Sequence, residues 1–266
     1  MSIIEAIILG IVQGLTEFLP VSSSGHLTIG QHLLGVDFTT GEQALTFGVV
    51  VHAATVMATI TVFFTEIKQL AVGTFKFKNN PETQYVLKIA LSMIPIMIVG
   101  LFFKDFVESL FGNSVTFVGA MLLVTAVLLA FTYFFKPKKS HQLTYKDAFI
   151  IGLAQAMAVV PGISRSGSTI ATGLLLGVDK SQLAKFSFLM VLVPILGQAF
   201  LELIGGEFAP AKSGISTQAL IAGFIAAYLA GVMACKIMIK LVQGGKLYFF
   251  AIYCAIIGAS ILISSL

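Results

Sequence analysis

Charge is scarce in this chain. Only 11% of its 266 residues are Asp, Glu, Lys or Arg, where a soluble domain carries about 25%. Tryptophan is absent, and arginine occurs once, at position 165. The two cysteines, Cys235 and Cys254, lie apart in apolar runs. They make no metal or disulfide spacing and read as small buried hydrophobes. There is no basic tail and no nucleic-acid motif, so the net charge of +4 needs another explanation. The first apolar stretch lacks a basic region ahead of it and runs straight into a polar motif, unlike a cleaved signal. What is abundant is apolar surface, at 57% hydrophobic residues. No soluble core hides that much, so lipid must solvate most of it.

A helical crossing takes about 20 apolar residues. Six segments qualify: 44–64, 85–103, 115–135, 182–204, 215–235 and 247–266. Four shorter apolar segments come in pairs, 3–19 with 26–35 and 147–160 with 168–177. Each pair is split by a proline and a Gly/Ser-rich turn, which predicts a re-entrant helical hairpin. Non-helical backbone at membrane depth survives only where it lines a polar cavity or packs in protein. The connections at 65–84, 136–146 and 236–246 hold most of the lysines, while the alternate ones hold only Lys104 and Lys212. The first set should face the cytoplasm, leaving both termini outside. The +4 charge then reflects topology.

The sequence repeats itself at an offset of 142 residues. Gly10, Gln13, Ser22, Ser24 and Gly25 match Gly152, Gln155, Ser164, Ser166 and Gly167. Leu34-Gly35-Val36-Asp37 matches Leu176-Gly177-Val178-Asp179, and Pro20 pairs with Pro161 after a one-residue slip. The predicted fold is an all-α polytopic membrane protein, one domain built from two repeats of approximately 1–140 and 141–266. Each half is a re-entrant hairpin plus three transmembrane helices. An odd number of crossings inverts the second copy, and inverted repeats bring broken helices face to face near the membrane interior.

The hairpins hold the polar residues. The first reads Gln13-Gly-Leu-Thr-Glu17-Phe-Leu-Pro20-Val-Ser22-Ser23-Ser24-Gly25-His26, and the second Pro161-Gly-Ile-Ser164-Arg165-Ser166-Gly167-Ser168-Thr169. Ionisable groups inside a membrane are functional candidates by default. Gln13 and Glu17, four apart, share a helix face. Ser22, Ser24, Ser164 and Ser166 precede or open helices, whose free N–H groups suit an anion; Ser24 and Ser166 could equally be plain caps. Arg165 can grip a phosphate bidentately, or pair with Glu17. Gly25 and Gly167 permit close backbone approach. His26 can carry a proton, and a serine beside a base is a nucleophile. The sum is an anion site with acid–base capability, as phosphoryl chemistry requires. Other polar residues read as ordinary: His52 as a satisfied core histidine, His32 and His141 as interfacial or loop residues, Glu202 as a solvated carboxylate. The Phe-rich crossings form no cofactor box.

At these motifs the chain resembles the bacterial undecaprenyl-diphosphate phosphatase family, also called the bacitracin-resistance family. Gln13-x-x-x-Glu17, Pro20-Val-Ser-Ser-Ser-Gly-His26 and Pro161-Gly-Ile-Ser-Arg-Ser-Gly-Ser-Thr169 are similar to its signatures, and length, hydropathy and repeat layout extend the likeness along the whole chain. The resemblance implies hydrolysis of undecaprenyl diphosphate to the monophosphate and inorganic phosphate. That reaction recycles the carrier for cell-wall polymers and confers bacitracin resistance. It also implies a divalent cation, Mg²⁺ or Ca²⁺, with Glu17 as ligand, and a site opening to the outer face of the cytoplasmic membrane. Many members carry a glutamate where this chain has Gln13, and an amide cannot supply a second anionic ligand.

The expected roles follow. Glu17, Ser23, His26 and Arg165 are catalytic: Ser23 as first candidate nucleophile, His26 as proton carrier, Glu17 holding metal or orienting His26. Gln13, Ser22, Ser24, Gly25, Ser164, Ser166, Gly167 and Thr169 bind the diphosphate. Water attack with His26 as base is the second route. The partners are the polyprenyl lipid and the bilayer, not nucleic acid, and a homodimer stays open. The rival class is an inverted-repeat secondary transporter or lipid flippase for an anion.

Overall fold

The computed structural model describes residues 1–36, 41–111, 115–135, 137, 140–205 and 214–264. Its described residues form twelve helices and no strand. The first hairpin is α1 (Ile3–Phe18) and α2 (Ser23–Leu34). A capping box of Ser2 and Glu5 starts α1, and Pro20 lies in the break after it. Gly35, left-handed at φ 62°, ends α2. The second hairpin is α8 (Tyr145–Met157) and α9 (Arg165–Leu176). A Thr144–Asp147 capping box starts α8, and left-handed Gly177 at φ 89° ends α9. These helices have 16, 12, 13 and 12 residues, each short of the ~20 that span a hydrocarbon core.

The longer helices are α3 (Gly41–Val62), α5 (Pro81–Phe102), α7 (Val115–Phe134), α10 (Lys180–Gly205) and α11 (Thr217–Gln243). Four contain windows apolar enough to cross a membrane: Pro81–Phe102, Val115–Phe134, Lys180–Gly197 and Thr217–Gln243. The expected crossing at 44–64 is more than a straight rod. It turns by 78° at Phe63 into α4 (Phe64–Thr74), so the connection expected at 65–84 begins as helix. The connection after α5 likewise contains α6 (Lys104–Phe111). The sixth expected crossing is α12 (Tyr248–Ser264), 17 residues, at the short end of what spans. Large apolar side chains such as Leu101, Phe102, Phe134 and Ile256 lie exposed on the outer surface. With four to five helices of spanning length, the chain is a multi-pass all-α membrane protein.

Small residues bring the helices together, as in membrane bundles. A Cβ on Gly10 would lie 2.4 Å from the Gly223 carbonyl, so α1 lies against α11. A Cβ on Gly152, at the matching repeat position, would lie 2.3 Å from the Ser92 carbonyl, so α8 lies against α5. Gly119 and Gly258 bring α7 and α12 together, a Cβ on Gly258 lying 2.7 Å from the Gly119 carbonyl. Each half thus inserts its hairpin against a long helix of the other. The two hairpin breaks meet as well. A Cβ on Gly25 would come within 3.4 Å of Gly162 Cα, and one on Gly167 within 3.3 Å of Pro20 Cβ.

Candidate active site

Two local devices build the hairpin tips. Ser22 caps α2 by accepting from the Gly25 amide at 3.3 Å, and Ser164 caps α9 by accepting from the Gly167 amide at 3.0 Å. In each copy the capping hydroxyl lies 3.4 Å from the hydroxyl of the serine two residues on, Ser24 or Ser166. The repeat seen in sequence is therefore also a repeat of hydrogen bonds. Helix geometry leaves the amides of Ser23 and Ser24, and of Arg165 and Ser166, without intrahelical acceptors.

Glu17 is the centre. Its carboxylate is almost wholly buried. One oxygen, Oε1, pairs with the Arg165 guanidinium from the opposite hairpin. The other, Oε2, accepts from Ser23 Oγ at 2.7 Å and from Gln13 Nε2 at 2.9 Å. A buried carboxylate is tolerated when each lone pair is met by charge or hydrogen bond. The α1 turn sets Gln13 and Glu17 on one face, and α2 begins where Ser23 can reach back.

Four of the expected residues, Gln13, Glu17, Ser23 and Arg165, are thus in direct contact. His26 is not joined to them. Its Nδ1 lies 2.9 Å from the Ser22 carbonyl and its Nε2 2.9 Å from the Tyr253 hydroxyl. A carbonyl accepts only, so Nδ1 carries the proton and Nε2 accepts from Tyr253. The ring also stacks on Tyr253, centroids 5.6 Å apart. Glu17 does not orient His26; Ser22 and Tyr253 do. On α2, His26 lies one turn after Ser23, on the same face. Ser166 donates to the Leu19 carbonyl across the hairpins at 3.1 Å. Thr169 is fully buried behind Arg165: its hydroxyl contacts the Arg165 and Ser166 carbonyls and lies 2.6 Å from Ser187 Oγ. It holds the α9 start rather than facing the cleft. Thr125 on α7 clamps the second break, accepting from the Ser164 amide and donating to the Gly162 carbonyl.

Two residues escaped the sequence reading. His52 on α3 is not a core histidine remote from the site. Its Nδ1 is 3.1 Å from Gln13 Nε2 and 3.7 Å from Glu17 Oε2. The one available signal was a histidine amid an apolar crossing, an expensive placement. Tyr253 gave no signal, since it lies 227 residues from His26. Lys104 and Glu202, whose roles the sequence suggested, have side chains outside the described residues, as does all of Lys212.

The cleft beside Glu17 and Arg165, lined also by Thr55, Thr59 and Ser187, has about 10 Å³, room for one water. A phosphate needs Arg165 to leave Glu17 or the tips to part. A larger cavity of about 410 Å³ lies near Glu66 and Lys185 and touches none of the expected residues. For a divalent cation, the protein offers one carboxylate and the buried Gln13 Oε1, which has no partner. No cluster of three or more His, Cys, Asp or Glu occurs among the described residues. That set fits a cation shared with substrate phosphates, as Mg²⁺ prefers, and not an enclosed protein cage.

Fold and site define a class: a multi-pass helical membrane protein with a serine, a carboxylate and an arginine gathered where two helical hairpins meet. Within that class the chain belongs to the bacitracin resistance protein BacA family, whose model matches residues 6–260. It is similar to the undecaprenyl-diphosphatase of Bacteroides thetaiotaomicron, 56% identical over 269 residues and covering 100% of both chains. The protein of that name in Parabacteroides distasonis is 58% identical over 261 residues, 97% of this chain and 96% of the relative. The one in Methanococcus vannielii is 43% identical over 252 residues, 94% of this chain and 95% of the relative.

Proposed function

We infer that this chain hydrolyses undecaprenyl diphosphate to undecaprenyl phosphate and inorganic phosphate. The name shared by its relatives supports the substrate. The observation that carries the chemistry is the Ser23 hydroxyl, 2.7 Å from a Glu17 oxygen on a carboxylate that Arg165 also holds. A nucleophile beside a base, with a guanidinium at the place where phosphate charge must be met, is the arrangement acyl- and phosphoryl-transfer sites share.

The steps follow from the roles. The diphosphate enters between the hairpin tips and draws Arg165 from Glu17 onto its terminal oxygens. Ser23 Oγ attacks the terminal phosphorus while its proton passes to Glu17 Oε2. The bridging P–O bond breaks, and undecaprenyl phosphate leaves with the electron pair. Water then attacks the phosphoserine, releasing inorganic phosphate and returning the proton to Ser23. The N–H groups opening α2 and α9 hold the transferred phosphoryl group. His26 carries the proton of the second step, with Tyr253 holding its ring. A divalent cation, Mg²⁺ or Ca²⁺, would be held by Glu17, with the Gln13 carbonyl and the substrate phosphates; it would neutralise phosphate charge.

We further propose that the two halves form a single membrane domain as inverted repeats. Both termini then lie outside, and the site opens to the outer face of the bacterial cytoplasmic membrane. There the product re-enters cell-wall synthesis, and the turnover confers bacitracin resistance. Purified protein should release phosphate from undecaprenyl diphosphate, and Ser23→Ala should abolish it. Phosphate trapped on Ser23 by acid quench would identify the intermediate. Near-normal turnover in Ser23→Ala would replace the serine route by direct water attack. No release by the wild type would leave an anion transporter as the better reading.

A further inference from the structure

Gln13 is wholly buried and stands at the back of the site. It uses both hydrogens of one amide nitrogen: Nε2 is 2.9 Å from Glu17 Oε2 and 3.1 Å from His52 Nδ1. A flipped amide would set its oxygen 2.9 Å from a carboxylate oxygen, so chemistry fixes the nitrogen there. It follows that His52 Nδ1 holds a lone pair and that the ring proton is on Nε2. His52 and Glu17 are then two acceptors sharing one NH₂ group, and their own separation of 3.7 Å is longer than a hydrogen bond. His52 comes from α3, an element that no hairpin motif includes.

This geometry matters when the reaction starts. At rest three donors hold Glu17: Arg165 on Oε1, with Ser23 and Gln13 on Oε2. In the reaction proposed above, Arg165 moves to the phosphate and Ser23 gives up its proton. Gln13 is then the one protein donor left on the carboxylate, and a single hydrogen bond leaves its amide free to rotate. The second hydrogen, on His52 Nδ1, fixes the amide plane. We propose that His52 is a positioning residue of the active site, holding through Gln13 the Glu17 carboxylate that takes the Ser23 proton. This rests on the Ser23–Glu17 reading.

The test uses the full chain purified in detergent, with phosphate release from undecaprenyl diphosphate as readout. His52→Ala should lower kcat by about 10- to 100-fold, the range typical when an outer partner of a site residue is removed. KM should change much less than kcat, because His52 meets the Gln13 nitrogen, while Arg165 and the helix N-termini hold the ground-state diphosphate. Asparagine places its carbonyl oxygen about where Nδ1 stands, whereas glutamine reaches the place of Nε2. His52→Asn should therefore restore most of kcat and His52→Gln should not. In a Gln13→Leu background His52→Ala should add little further loss, since both act along one chain of bonds. A His52→Ala enzyme with normal kcat overturns the role. So does equal failure of the Asn and Gln variants, or full additivity with Gln13→Leu. An inactive wild type overturns the activity and this role together. An active wild type with an unimpaired Ser23→Ala variant overturns the serine route, and the positioning role with it.

Discussion

Ser22 adopts φ 70° and ψ 99°, a region that non-glycine residues enter only when their surroundings force them. Such a residue costs about 1–3 kcal/mol and tends to mark a functional site. In the second hairpin the positive φ falls on Gly162, at 94°, and the matching Ser164 is ordinary at φ −76°. The strain is thus specific to the copy whose carbonyl anchors His26. Ser22→Gly should relieve it while losing only a few tenths of a kcal/mol of capping. The variant should melt no lower than wild type, and a clear drop in melting temperature would show that Ser22 is unstrained. Arg165→Ala should cost at least ~100-fold in turnover, since one preorganised donor to developing charge is worth about 2.7–4 kcal/mol. Lysine there should not restore activity, for it lacks the bidentate fork; normal turnover in either variant would end the role of Arg165. These residues were legible in the sequence because a lone guanidinium and a carboxylate are costly in an apolar chain. His52 and Tyr253 were not, because their partners lie 39 and 227 residues away and only packing brings them near.

At the scale of elements, both hairpins were readable from their breaks, and their caps fall at the repeated serines. The bend at Phe63 was not readable. It has neither Pro nor Gly to announce it, and the polar residues that follow, Thr65, Glu66, Lys68 and Gln69, read as a loop and not as a second helix. The repeat also exposes an asymmetry. Gln155 on α8 matches Gln13 on α1, but Val159 stands where the first copy has Glu17. Gln155 is fully buried, its Oε1 has no partner, and its Nε2 reaches only Met93 Sδ at 3.9 Å. A buried amide left this poorly met costs about 1–3 kcal/mol. Gln155→Leu keeps similar volume and removes the penalty, so it should raise the melting temperature and leave phosphate release near wild type. Gln13→Leu should cripple release. Loss of activity in Gln155→Leu would show that the second hairpin contributes more than its tip.

On the scale of the whole molecule, the lysine distribution predicts an orientation. Cysteines placed within 104–114 and 136–146 should label from opposite faces, and labelling from one face would refute the topology. Within the second half, the entry to α8 is tied to the exit from α9 at His141. Its backbone bonds Gly177 and Asp179 beyond α9, each at 2.9 Å. Its ring reaches two carbonyls, Gln142 from Nδ1 at 3.0 Å and Leu176 from Nε2 at 3.1 Å, with Asp147 at 3.7 Å. Two carbonyl acceptors call for two N–H donors, which only the imidazolium has. The Gln142 carbonyl above all, then the Asp147 charge and the Leu176 carbonyl, hold the His141 pKa above its ordinary 6.5. A folded pKa raised above the unfolded one stabilises fully below the unfolded pKa, and that stability is lost as pH rises through the folded value. Because the ring is exposed, water screens the interaction and the effect is small. The difference in melting temperature between wild type and His141→Gln should therefore be largest below about pH 6.5 and shrink as pH rises above it. A difference that is constant with pH, or that grows toward alkaline pH, would mean that the ring is neutral in the folded protein and that the junction is held by its backbone bonds alone.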